Sequence, residues 1–477
     1  MRELDTLVTE ALDADEAALT QALGLDDLLT DLRRRTRRRR VVRAATTSVS
    51  SAAAVGLVAV GAYALAGADD ARPQPADTTT PHETATPTPT APATTAPTQA
   101  PTQAPSQSPT PDAGPRTVPT ADPAAVRAAG DGLRAYGPDG SLLTPVDGGT
   151  GGPVRAQASD FTAEIPGIDG SAYRLEARLS DGSYLVTHPT TDDDAYPPVV
   201  LATWDGTTLH PWASTDTVVD DGQARVLGNV TVTDGWVVWM ESTGYDAWLG
   251  RWRVFAARDD GSDLHLVARS EEWFTTDHDE TMSGAQVAVV DGRVYWSTYR
   301  ADLVSAAEQR ARDAVVVSRA LDGSGEIRVE AVGVELLAGG YGRLAMGVLE
   351  DGDVVAGIAL LEDGDLRTVV ANGPPEAAVG DGYLAFAVDE YAYVLRLDEP
   401  RLTRVAMAGV EDVMYVASGP DHVGWVASYP DRYEHVRYDL ATDTLRTTDA
   451  SRAWATSTGS VASPGTPATW TIVTWHS

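Results

Sequence analysis

The sequence predicts an all-β domain, a seven-bladed β-propeller with six and eight blades as neighbouring counts, behind a single transmembrane helix and a disordered Pro/Thr-rich linker. Three observations carry this reading. From about Asp131 to Ser477, short runs rich in Val, Leu, Trp and Tyr are separated by Asp-Gly turns, the pattern of hairpins. The hairpins recur in pairs at intervals of about 40 to 57 residues, which suits four-stranded blades with insertions. Ahead of them, Arg33 to Arg43 abuts a stretch from Ala44 to Ala68 that carries no charge.

Residues 1–32 read as a cytoplasmic amphipathic helical segment. Leu4, Leu7, Val8 and Leu12 recur at helical spacing, and Leu19, Leu23, Leu25, Leu28, Leu29 and Leu32 form a second apolar group. Two such helices bury too little to stand alone, so they are either a frayed juxtamembrane segment or a docking peptide that folds on a cytoplasmic regulatory protein through Leu4, Leu7, Val8 and Leu12. Residues 33–43 are Arg-rich and juxtamembrane, and their eight arginines place that flank inside by the positive-inside rule. Residues 44–68 are the predicted span, a signal-anchor diluted by Thr46, Thr47, Ser48, Ser50 and Ser51. Ala64-Leu65-Ala66 would suit a cleavable signal peptide, but its charged n-region is normally far shorter than what precedes this stretch.

Residues 69–123 form the linker, with repeats such as Thr98-Gln99-Ala100-Pro101 followed by Thr102-Gln103-Ala104-Pro105. Proline at this density favours extended polyproline II and forbids a packed core. Its threonines beside prolines are compatible with O-linked sugars. The rest, 124–477, is the extracytoplasmic propeller. Its first-hairpin turns fall near Asp181-Gly182, Asp234-Gly235, Asp291-Gly292, Tyr341-Gly342, Asp381-Gly382 and Pro420-Asp421. That makes six units, and pairing Leu133–Val146 with Ser460–Trp475 is expected to supply a seventh and to remove two sheet edges. Trp236, Trp239, Trp296 and Trp425 recur at matched strand positions and are expected between blades.

The net charge is -33, and residues 1–43 balance nine acids with nine arginines, so the excess acid lies in the outer part. This argues against nucleic acid or anionic surfaces as partners of that part, since binding them needs cationic groups. There is no cysteine, which excludes disulfides and thiolate metal sites. The placement predicted is the cell membrane, single-pass, with the N-terminus cytoplasmic and the C-terminal domain extracellular.

The hairpin grammar of the outer part resembles the bacterial β-propellers of the TolB-like and WD40-like kind, although the WD40 Gly-His and Trp-Asp signatures are missing. The front end, Glu3 to Leu12 with Arg33 to Arg43, resembles actinobacterial single-pass proteins associated with extracytoplasmic-function sigma factors of the SigE kind. That resemblance implies a cytoplasmic regulatory partner. A zinc-containing anti-sigma domain of the His-Cys-Cys type is excluded, because no cysteine exists and no histidine precedes His82.

In a four-stranded blade the Asp-Gly turns share one face, and the B-to-C and D-to-A connections emerge on the other. The long connections, 187–198, 241–251, 298–313 and 268–284, all belong to that second face around the first three units. They carry the candidate ligand-binding residues Asp192, Asp194, Tyr196, Tyr245, Trp248, Trp273, Asp277, Asp279 and Tyr299. Aromatic rings beside carboxylates suit sugars or cations; the alternative is that the rings pack beneath their own loops while the acids are solvated.

No catalytic residue is assigned. A nucleophile elbow, a P-loop and an HExxH motif are all missing. Asp277-His278-Asp279-Glu280 resembles a fragment of a Ca²⁺ loop without its glycine, so neither a cofactor nor a metal is expected, with Ca²⁺ as the minor alternative. The expectation is a non-enzymatic envelope sensor, binding or adaptor protein that engages a cell-wall component or envelope protein outside. The rival is an anchored carbohydrate-active hydrolase or lyase, which requires two carboxylates from different blades to converge in the central pocket with perturbed pKa values.

Overall fold

The computed structural model describes residues 117–127, 132–164, 167–168, 173–189, 199–219, 225–243, 251–274, 286–300, 314–350, 354–374, 376–450, 454–455, 460–464 and 470–475. The cytoplasmic segment, the Arg-rich stretch, the span and nearly all of the linker lie outside them. No helix among the described residues is long and apolar enough to cross a membrane.

The described part is an all-β propeller. A short helix, α1 (Pro123–Arg127), leads into β1 (Arg134–Tyr136), β2 (Leu142–Leu143), β3 (Val146–Gly148), β4 (Pro153–Arg155) and β5 (Phe161–Glu164). Six antiparallel meanders of four consecutive strands follow. Blade 1 is β6 (Arg174–Arg178), β7 (Tyr184–Pro189), β8 (Val199–Trp204) and β9 (Leu209–Pro211). Blade 2 is β10 (Val226–Thr233), β11 (Trp236–Ser242), β12 (Trp252–Arg258) and β13 (His265–Arg269), ending in helix α2 (Ser270–Trp273). Blade 3 is β14 (Val287–Val290), β15 (Arg293–Tyr299), β16 (Ala314–Ala320) and β17 (Arg328–Val332). Blade 4 is β18 (Val334–Gly340), β19 (Arg343–Glu350), β20 (Val354–Glu362) and β21 (Asp365–Ala371). Blade 5 is β22 (Ala377–Gly380), β23 (Tyr383–Val388), β24 (Tyr391–Arg396) and β25 (Arg401–Ala406). Blade 6 is β26 (Asp412–Ser418), β27 (His422–Ser428), β28 (Tyr433–Asp439) and β29 (Thr444–Ala450).

Six four-stranded blades of consecutive strands are thus described where the sequence predicts seven, and six is the lowest of the counts it allows. A further, composite sheet draws on both ends of the described chain: β30 (Trp454–Ala455), β31 (Ser460–Pro464) and β32 (Trp470–Trp475), with β5 as its outer strand. The pairing expected for Leu133–Val146 is corrected here. Ile472 to Trp475 pairs with Phe161–Glu164, whereas the hairpin of β1 and β2 lies against the outer edge of β21 in blade 4. With only three and two residues, that hairpin is too short to complete a sheet. The strand that does so, Phe-Thr-Ala-Glu, carries too little β-branched or alternating signal to stand out.

The turns follow from the Asp-Gly pairs. Asp234-Gly235 and Asp291-Gly292 both hold positive φ at the two central positions, the type I′ geometry that matches strand twist. In the first hairpin of blade 1 and the second hairpins of blades 1 to 3, a carboxylate accepts from the backbone N–H two residues on: Asp181 from Ser183, then Asp205 from Thr207, Asp260 from Ser262 and Asp322 from Ser324. Hydroxyl hydrogen bonds from Ser183, Ser262 and Ser324, with these backbone bonds, hold the carboxyls of Asp181, Asp260 and Asp322 below the ordinary carboxylate range, and the Thr208 N–H with the Thr207 hydroxyl does the same for Asp205. Part of the chain's acidity is therefore turn chemistry.

The blades meet through apolar faces. Trp212 of the blade 1 edge reaches Trp239 in blade 2 (6.2 Å between ring centroids), and Trp252 reaches Trp296 across blades 2 and 3 (5.5 Å). Ile358 and Leu360 pack with Leu384 and Phe386 across blades 4 and 5. Trp239, Trp296 and Trp425 are buried as expected, but Trp236 is half-buried beneath the Arg258 guanidinium, 3.9 Å from its ring. Each fully buried large apolar side chain contributes about 1.5–3 kcal/mol, so these joints supply much of the stability in a chain without disulfides. The first strands of successive blades touch one another from blade 2 to the composite sheet, and so line the axis. Side-chain bonds to backbone tie them, as Thr231 donates to the Val287 carbonyl (2.7 Å) and Ser418 to the Val379 carbonyl (2.6 Å), and Ser297 of the second strand of blade 3 accepts from the Leu336 N–H of blade 4 (2.7 Å).

Candidate functional site

Of the candidate ligand residues, Asp192, Asp194, Tyr196, Tyr245, Trp248, Asp277 and Asp279 lie outside the described residues, as do Leu4, Leu7, Val8 and Leu12. The structure brings the other two together. The Trp273 indole N–H donates to the Tyr299 carbonyl oxygen (2.7 Å). Trp273 ends α2 and packs on the core between blades 2 and 3, while the Tyr299 ring is buried with Ala314 and Leu349. Both rings serve as struts that fix where the blade 2 and blade 3 connections leave the sheet.

Beside them is a buried ionic cluster that sequence reasoning missed. Glu241, at the end of β11, accepts from Arg253 (3.1 Å), from the Trp239 indole (3.2 Å) and from Thr215 (3.2 Å). Arg253 also donates to the Val219 carbonyl (2.6 Å), and Arg225 to the Arg251 carbonyl (2.5 Å). Burial raises the Glu241 carboxyl, against the pull of the Arg253 charge and of the Trp239 and Thr215 hydrogen bonds. The cluster pins the short 3-10 turn Thr215–Thr217 against blade 2. Its sequence signal is a charge at the end of an otherwise apolar strand, as in Trp-Val-Val-Trp-Met-Glu.

Among the described residues, a constellation with titrating chemistry near neutrality lies where the first strands of blades 5 and 6 begin. Glu376, which follows Gly373-Pro374-Pro375, immediately precedes β22. Its carboxylate accepts from the Val416 N–H (3.0 Å) and from Tyr415 N–H, across the joint in β26. These donors converge because β26 shifts register between Met414 and Ala417 and Tyr415 takes φ 55°, a left-handed conformation unusual for a bulky residue. Enclosure by protein pushes the Glu376 carboxyl up to about 7; the two backbone donors oppose this, and Asp412 of blade 6 adds to it. The side chain keeps part of its surface accessible, so protons can exchange with solvent. A carboxyl of this kind can give or take a proton at neutral pH. The sequence offered only an acid between a Pro-Pro pair and an apolar strand, since the bulge that supplies its partners lies 40 residues on.

Near the outer part of blade 6, Glu434 accepts from Tyr429 (3.2 Å) and Arg432 (3.0 Å). Burial and the Glu434 charge push the Tyr429 hydroxyl up to about 12. Behind it, His435 is fully buried, and its Nδ1 accepts from the Trp475 indole N–H (3.0 Å), which places the proton of the neutral ring on Nε2. Burial drives His435 down to about 3. Among the described residues, no group of three or more His, Asp or Glu side chains is arranged to hold a metal ion.

No family model and no curated protein matches this chain. Among solved structures, it is similar to a prolyl endopeptidase at 12% identity and TM-score 0.45, over 63% of this chain and 46% of that one. The chain thus spans just under half the length of that protein. It is also similar to the Pan2 WD40 domain of Neurospora crassa (9% identity, TM-score 0.42, covering 68% and 98%) and to an uncharacterized protein of Listeria monocytogenes (11%, 0.38, covering 65% and 90%). The fold assignment, an all-β propeller scaffold, rests on the strand order and the joints described above.

Proposed function

We propose that this chain is a non-enzymatic, membrane-anchored extracytoplasmic propeller that acts as an envelope sensor, binding or adaptor protein, with residues 1–32 engaging a cytoplasmic regulatory partner. In this reading the composite sheet counts as the seventh blade and closes the ring. The observation that carries it is the division of labour between the two faces. One is tight Asp-Gly turns, and the other gathers the long connections on struts such as Trp273–Tyr299; connections on a rigid scaffold are where binding surfaces sit. The anchor and the cytoplasmic partner rest on sequence alone, on Arg33 to Arg43, the uncharged stretch after it, and the leucine spacing. The test is a thermal-shift screen of the full-length chain against cell-wall glycans, wall peptides and Ca²⁺, paired with deletion of residues 1–32. A rise of several degrees with one ligand class and altered envelope-stress transcription in the deletion strain support the reading. A flat screen and unchanged transcription across several stresses count against it.

A second reading has one specific observation behind it. Glu376 and Asp412 come from adjacent blades, and Glu376 is poised near neutrality, as an acid paired with a second carboxylate must be in a glycoside hydrolase or lyase. Turnover of a wall glycan that Glu376→Gln abolishes while binding persists would establish the enzyme. Binding without turnover in both forms would eliminate it.

A further inference from the structure

Residues 119–127 and 132–164 do not form a blade of their own. They run as a belt around the outside of the propeller and touch one sheet after another in sequence order. Thr120 bridges Val332 at the outer edge of blade 3, and the Ala121 N–H donates to the Val332 carbonyl (2.9 Å). Then α1 packs Val126 on Val348, Ala356 and Ala371 of blade 4, and β1 pairs with β21. Next β3 pairs in parallel with β25 of blade 5, and β4 in parallel with β29 of blade 6. Finally β5 becomes the outer strand of the composite sheet.

The middle of this belt is held weakly. The pairings of β3 and β4 each span three residues. Leu142, Val146 and Val154 stay 58%, 49% and 60% exposed, while Leu402, Val405 and Leu445 of the strands beneath are essentially buried from the other side. What fixes the belt is polar and near the surface. Asp147 accepts twice from Arg404 (2.6 and 2.9 Å), Asp160 pairs with Arg446 (3.3 Å), and Asp443 accepts from the Gly149 N–H (3.0 Å). Such contacts are worth little individually and are screened by salt. By contrast, β25 and β29 belong to blades with continuous apolar cores.

We infer that the outer edges of blades 5 and 6, β25 and β29, are strand-acceptor sites, and that residues 144–156 are their resident, displaceable occupant. The partner that fits is an extended peptide segment with an aspartate or glutamate placed to meet Arg404. Main-chain bonds to the bared edge give it affinity, and the arginine sets its register. The belt itself shows what the edge selects: short, extended, carrying Asp147 opposite Arg404 and stepping through Gly148-Gly149 to the next blade. Gly148 has to be small there, because a Cβ would lie 2.8 Å from the Tyr438 hydroxyl. This inference rests on the ring geometry and is independent of whether the chain is anchored.

The absence of cysteine makes the test direct. In the full-length chain, Val146→Cys with Thr403→Cys links two residues that sit opposite each other in the β3–β25 register, leaves Asp147 and Arg404 in place, and locks the belt when oxidised. The probe is a fluorescent synthetic peptide of residues 144–156, followed by anisotropy against three proteins: unmodified chain, Asp147→Ala, and the oxidised double cysteine. The expected result is that Asp147→Ala binds the peptide about tenfold more tightly than the unmodified chain, and that the locked protein does not bind it. Hydrogen exchange on the same samples is expected to show residues 142–156 exchanging faster in Asp147→Ala with Tyr391–Arg396 and Tyr433–Asp439 unchanged. Equal uptake by locked and unlocked proteins, no uptake by any, or belt exchange that changes only together with the blades would overturn the inference.

Discussion

Replacing His435 by glutamine is expected to remove most of an acid-induced loss of stability. His435 is neutral in the folded chain because its ring is fully buried, with Nδ1 already accepting from Trp475, and burial holds it at about 3. Unfolded, it titrates near the ordinary histidine value of about 6.5. A base whose folded pKa is depressed contributes stability that is present above the unfolded value and lost as pH falls toward the folded one. Between about pH 7.5 and pH 5 the unfolded chain takes up a proton that the folded chain refuses, which costs about 2 kcal/mol, rising toward about 5 kcal/mol by pH 3. Glutamine keeps an acceptor for the Trp475 indole and does not titrate. Glu376 works in the opposite direction, since a carboxyl raised to about 7 contributes stability that is complete below its unfolded value and lost as pH rises through 7. Both proteins contain it, so it cancels in the difference. Urea unfolding followed by tryptophan fluorescence at the two pH values measures the effect. Equal losses in the unmodified and His435→Gln chains would refute the assignment of His435 as buried and neutral.

Three further outcomes follow from the same geometry. Glu376→Gln is expected to stabilise the propeller by up to about 3 kcal/mol at about pH 8 and to have little effect at pH 4.5, because the cost removed is that of ionising an enclosed carboxyl; urea unfolding across that range checks it. Trp296→Ala empties the joint between blades 2 and 3, where the ring is fully buried against Trp252, and is expected to cost about 3–5 kcal/mol in the same assay. Gly261→Ala places a Cβ 2.7 Å from the Trp212 indole at a residue with φ of 81°, so a loss of about 1–3 kcal/mol is expected, with a change in the Trp212 environment visible by fluorescence.

Much of the propeller was legible because hairpin turns are local. Asp234-Gly235 and Asp291-Gly292 need two consecutive positive-φ residues, and the sequence supplies a residue tolerant of αL followed by glycine each time. The Trp239, Trp296 and Trp425 positions were legible for the same reason, a fixed offset from a recognisable turn. The closing strand was not. Phe161–Glu164 gains its strand character from Ile472–Trp475, more than 300 residues away, and nothing in four mixed residues announces that partner. The belt escaped notice because β3 and β4 are short, half polar and paired in parallel with strands from distant blades. Trp273 and Tyr299 were found as aromatic loop residues, yet their contact is an indole bond to a main-chain carbonyl, which residue type alone does not reveal. Glu376 depends on a bulge at Tyr415, and bulges are set by packing as much as by sequence.

Whether the two ends of the described chain meet in one sheet decides the architecture on which every site above depends. The register places Ala163 opposite Val473, so Ala163→Cys with Val473→Cys in this cysteine-free chain reports the closure by non-reducing electrophoresis and thermal denaturation. A spontaneous intramolecular cross-link that speeds migration and raises the melting temperature is expected. Free thiols in that variant, with cross-linking instead between Ala135→Cys and Val473→Cys, would contradict it and place the first hairpin in the closing sheet.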